Sequence, residues 1–198
     1  MALTQVNGAV SDATEASWRV WLDALTAGIA GVPDALLAEA AARIAAADLV
    51  VTAGNGGSAS LASHAAQAIA KPSYGPGGGR ASVCLTDHTP IITAHTNDGG
   101  WPDALVEAAR PFFDACPRAV LFALSSSGRS ENIHRLAVFA ADRGHPVIAL
   151  TGFDGYPLRG VATVSLHVDS HDYEVVEPAH DALIHRIQAH LRRRHLGD

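Results

Sequence analysis

A glycine-rich turn at residues 54–58 has the composition of an anion-binding site. The turn reads GNGGS, follows a short apolar run and precedes an alanine-rich helical pattern. Glycines let the backbone turn tightly and aim its amide groups at an anion near the N-terminus of a helix. This stretch therefore predicts a phosphate-binding turn between a strand and a helix.

A second turn, SSSGRS at residues 125–130, follows a different apolar run and also precedes a helical pattern. Hydroxyl and amide groups at a helix start can donate several hydrogen bonds to one phosphate without a lysine. Taken alone, the same residues are equally typical of a serine-rich helix N-cap. Because a glycine turn follows another strand of the same chain, we favour a phosphate site formed by both turns.

Two nucleotide-binding motifs can be excluded. The spacing Gly54-x-Gly56-x-x-Ala59 matches a dinucleotide fingerprint, which also requires an acidic residue about 20 positions further on to hold a ribose. No Asp or Glu occurs between Ser58 and Thr86, and the chain contains no Gly-Lys-Ser/Thr of a Walker A loop. We therefore expect no nucleotide cofactor.

The apolar patterns predict the elements that position these turns. Nearly continuous apolar runs predict strands at 49–53, 81–85, 119–124, 147–151 and 162–168. Helical spacing predicts helices at 14–28, 33–46, 58–71, 89–116, 130–143 and 176–195. This alternation indicates an α/β fold with a doubly wound parallel sheet flanked by helices, an N-terminal helix pair and a long C-terminal helix. In such folds ligands bind beyond the carboxyl ends of the strands, where both turns would lie.

The composition limits the class of protein. With 198 residues and 48% hydrophobic content, one domain is expected, with helices over 1–47 and an α/β sandwich over 48–198. A net charge of −6 and a single lysine argue against nucleic-acid binding. Cys84 and Cys116 make no disulfide framework. No leader or membrane span is recognised, so we expect a cytoplasmic protein without a membrane partner. The stretch 71–80, KPSYGPGGGR, is expected to be a surface loop.

Three segments carry a resemblance to a known family. GNGGSASLASH, ALSSSGRSENI and HPVIALTG together resemble the sugar isomerase (SIS) fold, and most closely its phosphoheptose isomerase group. The resemblance implies a five-stranded parallel sheet, a homotetramer and a phosphosugar ligand. It implies that the substrate is bound by Asn55, Gly56, Gly57, Ser58, Asn97, Asp98, Ser125, Ser126, Ser127 and Ser130. Asp87 matches an aspartate that faces the sugar, although it is equally suited to cap the helix that follows.

The resemblance also implies the catalytic residues. Isomerisation between an aldose and a ketose needs a base at one carbon and an acid for the oxygens. The family pattern has a histidine and a glutamate one turn apart, and a glutamine and a histidine eight residues apart on the last helix. Some members bind zinc with these four. Here His64 and His185 match, but Ala68 stands at the glutamate position and Glu177 at the glutamine position.

We therefore predict that His64, Glu177 and His185 form a set of two histidines and one carboxylate. This set would bind a divalent metal, such as zinc, or act directly as base and acid, with Asp87 as a further catalytic candidate. Eight helical residues rise about 12 Å, so Glu177 and His185 converge only if their side chains lean together. Glu177 could instead interact with the dipole of its own helix start.

The stretch 170–185, SHDYEVVEPAHDALIH, is rich in histidine and acid. It could form a metal site unrelated to the family, although such density is more typical of a polar surface or a subunit contact. Five residues separate His180 from His185, which turns it about 140° around the helix. His180 is therefore a weaker candidate.

The residues described above are compatible with three functions. The first is a phosphosugar isomerase that converts sedoheptulose 7-phosphate into a heptose 7-phosphate. The second is a non-catalytic protein that binds phosphosugars or a partner, resembling the replication-initiator-associating protein, which also lacks the glutamate. The third is an isomerase for another phosphosugar, because the loop 71–80 and Arg129 differ from the usual pattern.

Overall fold

The computed structural model describes residues 3–71 and 79–196. The helices are α1 (Leu3–Ala30), α2 (Asp34–Ala46), α3 (Gly57–Ala70), α4 (Thr89–Gly99), α5 (Trp101–Ala115), α6 (Glu131–Asp142), α7 (Leu158–Val161) and α8 (Tyr173–Leu196). The strands are β1 (Leu49–Ala53), β2 (Ala81–Cys84), β3 (Ala119–Ser125), β4 (Val147–Thr151) and β5 (Val164–His167). All five predicted strands are therefore confirmed, with small differences at their ends.

The strands form one parallel sheet in the order β2-β1-β3-β4-β5. The chain moves from β1 outward to β2 and then returns to the other side of β1, so the direction of winding changes between β1 and β3. Ligands of doubly wound sheets bind at such a switch point. The glycine turn follows β1 and the serine loop, residues 125–130, follows β3, so both lie at this point.

Helices cover both faces of the sheet. One apolar cluster joins the inner faces of α2, α3 and α8 to side chains such as Phe122 and Leu150. The other joins α5 and α6 to the opposite face of the same strands, including Leu121 and Ala149. Every residue of β3 is buried. Burial on both faces explains why the strands are nearly continuous apolar runs in the sequence.

The predicted helix over 89–116 is wrong in one respect, because it is divided into α4 and α5. Gly100 lies between them with a φ of 87°, which a helix cannot contain and which glycine adopts without strain. Pro102 lies in the first turn of α5. Amide groups in the first turn have no hydrogen-bond acceptor within the helix, so the missing amide proton of proline costs no hydrogen bond there.

Other boundaries differ less. Helix α1 begins at Leu3 rather than at residue 14, α8 begins three residues before its predicted start, and the short helix α7 was not predicted. Most of the predicted loop 71–80 lies outside the described residues. Within the described ranges, no single helix has both the length and the apolar composition of a membrane span. The bent pair Ser17–Ala30 and Asp34–Ala46 meets those two criteria only when its halves are combined.

Candidate functional site

The glycine turn brings the start of α3 to the carboxyl edge of the sheet. A β-carbon on Gly54 would lie 2.9 Å from the backbone nitrogen of Ala59, so the tight turn requires a glycine at this position. Gly56 has a φ of 54°, in the left-handed region that glycine adopts readily. The turn leads directly into Gly57, the first residue of α3, so the N-terminal amides of α3 point to this edge.

The serine loop contacts the glycine turn. The hydroxyl oxygens of Ser58 and Ser126 are 3.4 Å apart. The side-chain amides of Asn55 and Asn132 donate to each other's oxygens, at 2.9 and 3.0 Å. Within the loop, the Ser125 hydroxyl donates to Ser130 Oγ at 3.3 Å.

Asn132 was not predicted as part of the site. It lies two residues after the serine loop, and the asparagine at this place in ALSSSGRSENI is the signal that could have identified it. It is almost completely buried, so its paired amide fixes the side-chain orientation of Asn55.

The loop after β4 supports the serine loop from the other side. The backbone amide of Gly152 donates to the Ser126 carbonyl at 2.7 Å. Gly128 has a φ of 70°, and a β-carbon on it would lie 2.6 Å from the α-carbon of Gly155. The two loops therefore approach each other closely, and glycine at 128 permits that approach.

Arg129, at the exposed tip of the serine loop, forms an ion pair with Asp154. The Asp154 carboxylate also lies 3.5 Å from His171 Nε2. These two partners, Arg129 first, hold the pKa of Asp154 below its ordinary value. Arg129, the single cationic residue of the serine loop, is therefore paired with Asp154 at the outer edge of the loop.

Glu177, on α8, faces the glycine turn. A β-carbon on Gly57 would lie 2.7 Å from the carboxyl carbon of Glu177, so the two residues are in direct contact. A carboxylate beside the N-terminus of a helix interacts favourably with the helix dipole. The helix concerned is α3, not α8 itself, so Glu177 bridges α3 and α8 beside the glycine turn.

His64 and His185 come together, and Asp181 joins them. The two imidazole rings are 5.0 Å apart between centroids, and His64 Nε2 lies 3.8 Å from Asp181 Oδ1. One donor atom from each of the three residues lies within 4.8 Å of the others. We call these three residues the histidine-aspartate group; among the described residues, Glu177 is not part of it.

The position of Asp181 in the chain explains this grouping. Glu177, Asp181 and His185 follow one another at intervals of four, so they line one face of α8. The rise of about 12 Å between the first and the last leaves the middle residue closest to His185. This spacing of four residues is the signal that could have identified Asp181 from the sequence.

Ala68 and His180 lie apart from this group. Ala68 is buried between α3 and α8, where its carbonyl accepts a hydrogen bond from Gln188 Nε2 at 3.3 Å. His180 is completely buried on the sheet side of α8. Burial is the main cause that lowers its pKa to about 4; His167 lowers it further, whereas the Thr151 backbone raises it. The histidine-rich stretch therefore divides between two faces of one helix.

Three further predicted residues lie on α4 or directly before it. The Asp87 carboxylate accepts a hydrogen bond from the Ser63 hydroxyl at 2.9 Å. Ser63 directly precedes His64 in the chain. The N-cap position of α4 belongs to His88, so Asp87 does not have the capping position. Asn97 and Asp98 are exposed near the end of α4 and hydrogen bond to each other at 3.3 Å.

Comparison with known proteins agrees with this fold. Residues 17–152, a range that includes both turns, match the model of the SIS domain. The chain belongs to the SIS domain family. A solved structure of the phosphoheptose isomerase GmhA from Neisseria gonorrhoeae is similar over 92% of this chain and 98% of its own, with a TM-score of 0.80 and 26% identity.

Within that family, the sequence groups with the phosphoheptose isomerases. The phosphoheptose isomerase of Geotalea uraniireducens is 34% identical over 177 residues, which cover 84% of this chain and 93% of that protein. The lincomycin biosynthesis protein LmbN of Streptomyces lincolnensis is 37% identical over 135 residues, 66% of this chain. This last match spans about half of LmbN, at 49% of its length.

Proposed function

We propose that this protein is an aldose-ketose isomerase that converts sedoheptulose 7-phosphate into a heptose 7-phosphate. The observation that carries the proposal is the contact between Glu177 and the first residue of α3, beside two joined turns suited to a phosphate. The phosphate would be held by the amides at the start of α3 and by the hydroxyls of Ser125, Ser126, Ser127 and Ser130. A carboxylate then stands at the edge of the phosphate site, within the reach of a bound sugar.

The chemistry requires one proton to move between adjacent carbons. A carboxylate can take the proton from the carbon beside the ketose carbonyl and return it to the former carbonyl carbon. We assign this role to Glu177. In the absence of a metal, His185, two turns further along α8, would move the second proton between the two oxygens, and His64 would position it. Asp87 remains a candidate on the flank of the site.

A divalent metal such as zinc fits the histidine-aspartate group. His64 Nε2 is buried and has no hydrogen-bond partner among the described residues, although it faces Asp181 at 3.8 Å. Two ligands that each lie about 2.1 Å from one zinc ion can be about 4 Å apart. Two imidazole nitrogens and a carboxylate oxygen are donors that zinc accepts. When bound, such an ion would polarise the sugar oxygens during proton transfer.

Several further properties belong to the same proposal. We expect a single domain in the cytoplasm, as the length and composition indicate, and a homotetramer, as the family resemblance implies. A measurement of molecular mass in solution by light scattering tests the tetramer.

A second candidate function is supported by Ala68. Because this residue is buried and apolar, the helix after the glycine turn offers no carboxylate at the position where the isomerase pattern has a glutamate. A protein that keeps the phosphate site without a base would bind phosphosugars or a partner without converting them.

One experiment separates the two candidates. The purified protein is incubated with sedoheptulose 7-phosphate, with and without zinc, and aldose formation is followed by NMR while calorimetry measures binding. Turnover supports the proposal that the protein is an isomerase. Binding without turnover under either condition refutes that proposal and supports a non-catalytic phosphosugar-binding protein. Replacement Glu177→Gln should lower kcat at least about 100-fold if Glu177 is the base. Glu39→Gln, on the surface of α2, is the matched control.

A further inference from the structure

A closed ring of contacts joins the serine loop to Glu177. On one side of the ring, Glu177 meets Gly57 at the start of α3. The next residue, Ser58, has its hydroxyl oxygen 3.4 Å from that of Ser126 in the serine loop. On the other side, the loop after β4, residues 152–157, connects the serine loop to the first turns of α8. The position of Glu177 relative to the serine loop therefore depends on both sides of the ring.

Gly152 is the closest contact on the second side of the ring. Its backbone amide donates to the Ser126 carbonyl at 2.7 Å. A β-carbon at position 152 would lie 2.5 and 2.7 Å from the two methyl carbons of Val176, a completely buried residue of α8. The φ of Gly152 is not in the left-handed region that favours glycine. This position therefore requires the absence of a side chain rather than the conformational freedom of glycine.

Backbone hydrogen bonds hold Gly152 in place. The carbonyl of Thr151, before it, accepts a hydrogen bond from the Val168 amide at 2.8 Å. The amide of Phe153, after it, donates to the Ser170 carbonyl at 2.8 Å. Both partners belong to the segment that leads from β5 into α8. Because a third bond ties Gly152 to the serine loop, its backbone cannot yield to an added side chain without the loss of hydrogen bonds.

A side chain at position 152 would instead displace Val176. Valine is branched at its β-carbon and therefore stiff at χ1, and a closely packed core leaves its methyl groups no space to turn away. The backbone of α8 would have to move outward at this point. Glu177 directly follows Val176, so its carboxylate would move as well. Misplacement of a reacting group by about 1 Å can lower a rate by about 100-fold.

We infer that Gly152 is a positioning residue that sets the distance between the carboxylate of Glu177 and the serine loop. It acts through Val176 and does not itself take part in the proton transfer. The inference rests on the proposed function in taking Glu177 as the base and the serine loop as the phosphate site.

The first test compares Gly152→Ala with the unaltered protein. In turnover of sedoheptulose 7-phosphate, kcat should fall at least about tenfold and KM should stay within about twofold. Calorimetry should show unchanged binding of inorganic phosphate, because alanine keeps the amide that donates to Ser126. Gly160→Ala is the matched control. It follows the same loop, and a β-carbon there would lie 3.5 Å from its nearest neighbour, the Tyr156 ring.

A compensating variant distinguishes positioning from a general loss of stability. In the double variant Gly152→Ala, Val176→Ala both clashing methyl groups are absent. The nearest remaining atom is the β-carbon of residue 176, at 3.2 Å, which a small shift accommodates. The double variant should therefore recover most of the lost kcat, although its core is less filled. Val176→Ala alone completes the cycle and measures the effect of the smaller core residue.

A spectroscopic measurement observes Glu177 without turnover. The protein is labelled in the carboxyl carbons of its glutamates, and the NMR signal of Glu177 is assigned by its absence from Glu177→Gln. This signal should shift in Gly152→Ala and return towards its original position in the double variant. Gly160→Ala should leave it unchanged.

An unchanged Glu177 signal in Gly152→Ala overturns the inference, and so does an unchanged kcat. Equal losses of kcat and of phosphate affinity also overturn it, because the added methyl group would then displace the serine loop rather than α8. If Gly152→Ala does not fold, Val176→Ile replaces it with the same expectations, since isoleucine adds a methyl group from the α8 side.

The proposed function fails separately. An unaltered protein that converts no sedoheptulose 7-phosphate refutes the isomerase. If the Glu177 signal of that protein still shifts in Gly152→Ala and returns in the double variant, Gly152 nevertheless sets the position of Glu177.

Discussion

The carboxylate of Glu177 occupies the space that a β-carbon on Gly57 would take. Its carboxyl carbon and one oxygen both lie 2.7 Å from that position. The two residues are 120 positions apart in the chain and belong to α3 and α8. Because residue 57 has no side chain, the carboxylate of Glu177 can reach the start of α3 beside the glycine turn.

Replacement of Gly57 by alanine should therefore displace Glu177. The end of a glutamate side chain is flexible and can move away, so we expect a Tm change within about 3 °C, which corresponds to roughly 1 kcal/mol. Turnover should fall at least about tenfold, since Glu177, the proposed base, leaves its position. Gly99→Ala is the control, because a β-carbon there meets nothing within 4 Å. Full activity in Gly57→Ala would contradict the role of this contact.

Asp181 should be needed for zinc binding. Its carboxylate is the oxygen donor of the histidine-aspartate group, so Asp181→Asn should weaken zinc binding by about 10 to 100-fold or more. Competition with a chromophoric chelator measures the affinity. Glu177→Gln should bind zinc normally, because Glu177 is not part of that group among the described residues. Asp142→Asn on the surface of α6 serves as the matched control. Equal zinc affinity in Asp181→Asn and the unaltered protein would refute this assignment.

Alanine substitutions at Gly128 and Gly144 distinguish the energetic cost of backbone strain from the cost of a steric clash. Both have positive φ, 70° and 79°, but only Gly128 has another backbone, at Gly155, where its β-carbon would lie. Gly144→Ala should cost about 1 kcal/mol through strain alone. Gly128→Ala should cost about 3 kcal/mol or more, because the loops must also separate. Urea unfolding measures the loss in the free energy of unfolding for each variant. Equal losses would contradict the prediction, because they would show that the two loops separate at no additional cost.

His180 should make the protein less stable in mild acid. Its pKa is about 4 in the folded protein and 6.5 in the unfolded chain. Above pH 6.5 it is neutral in both states and costs nothing. As the pH falls from 6.5 towards 4, only the unfolded chain takes up the proton, so the free energy of unfolding declines by about 3 kcal/mol in total.

Urea unfolding between pH 7 and 4.5 measures this loss. His180→Gln removes the titrating group and should flatten the pH dependence. His134→Gln, at a half-buried position on α6, should leave the dependence as it is. An unchanged slope in His180→Gln would assign the acid sensitivity to other groups.

Much of the fold could be predicted because local chemistry specifies it. Strand β3 is buried on both faces, so its run AVLFAL is apolar throughout and recognisable. The turn glycines are recognisable because tight turns and positive φ require them. The break at Gly100 was missed although Gly99, Gly100 and Pro102 interrupt the apolar pattern between α4 and α5, which is a local signal for the end of one helix and the start of another.

The sequence by itself determined the layered α/β fold and the positions of the glycine turn and the serine loop, because these features depend on residues that are close together in the chain. Only the tertiary structure decided the partners of the residues on α8. It brings Asp181 to His64 and directs Glu177 to Gly57, and it seals Ala68 between α3 and α8. These contacts join residues more than 100 positions apart. They depend on how two helices pack against one face of the sheet, which no local pattern encodes.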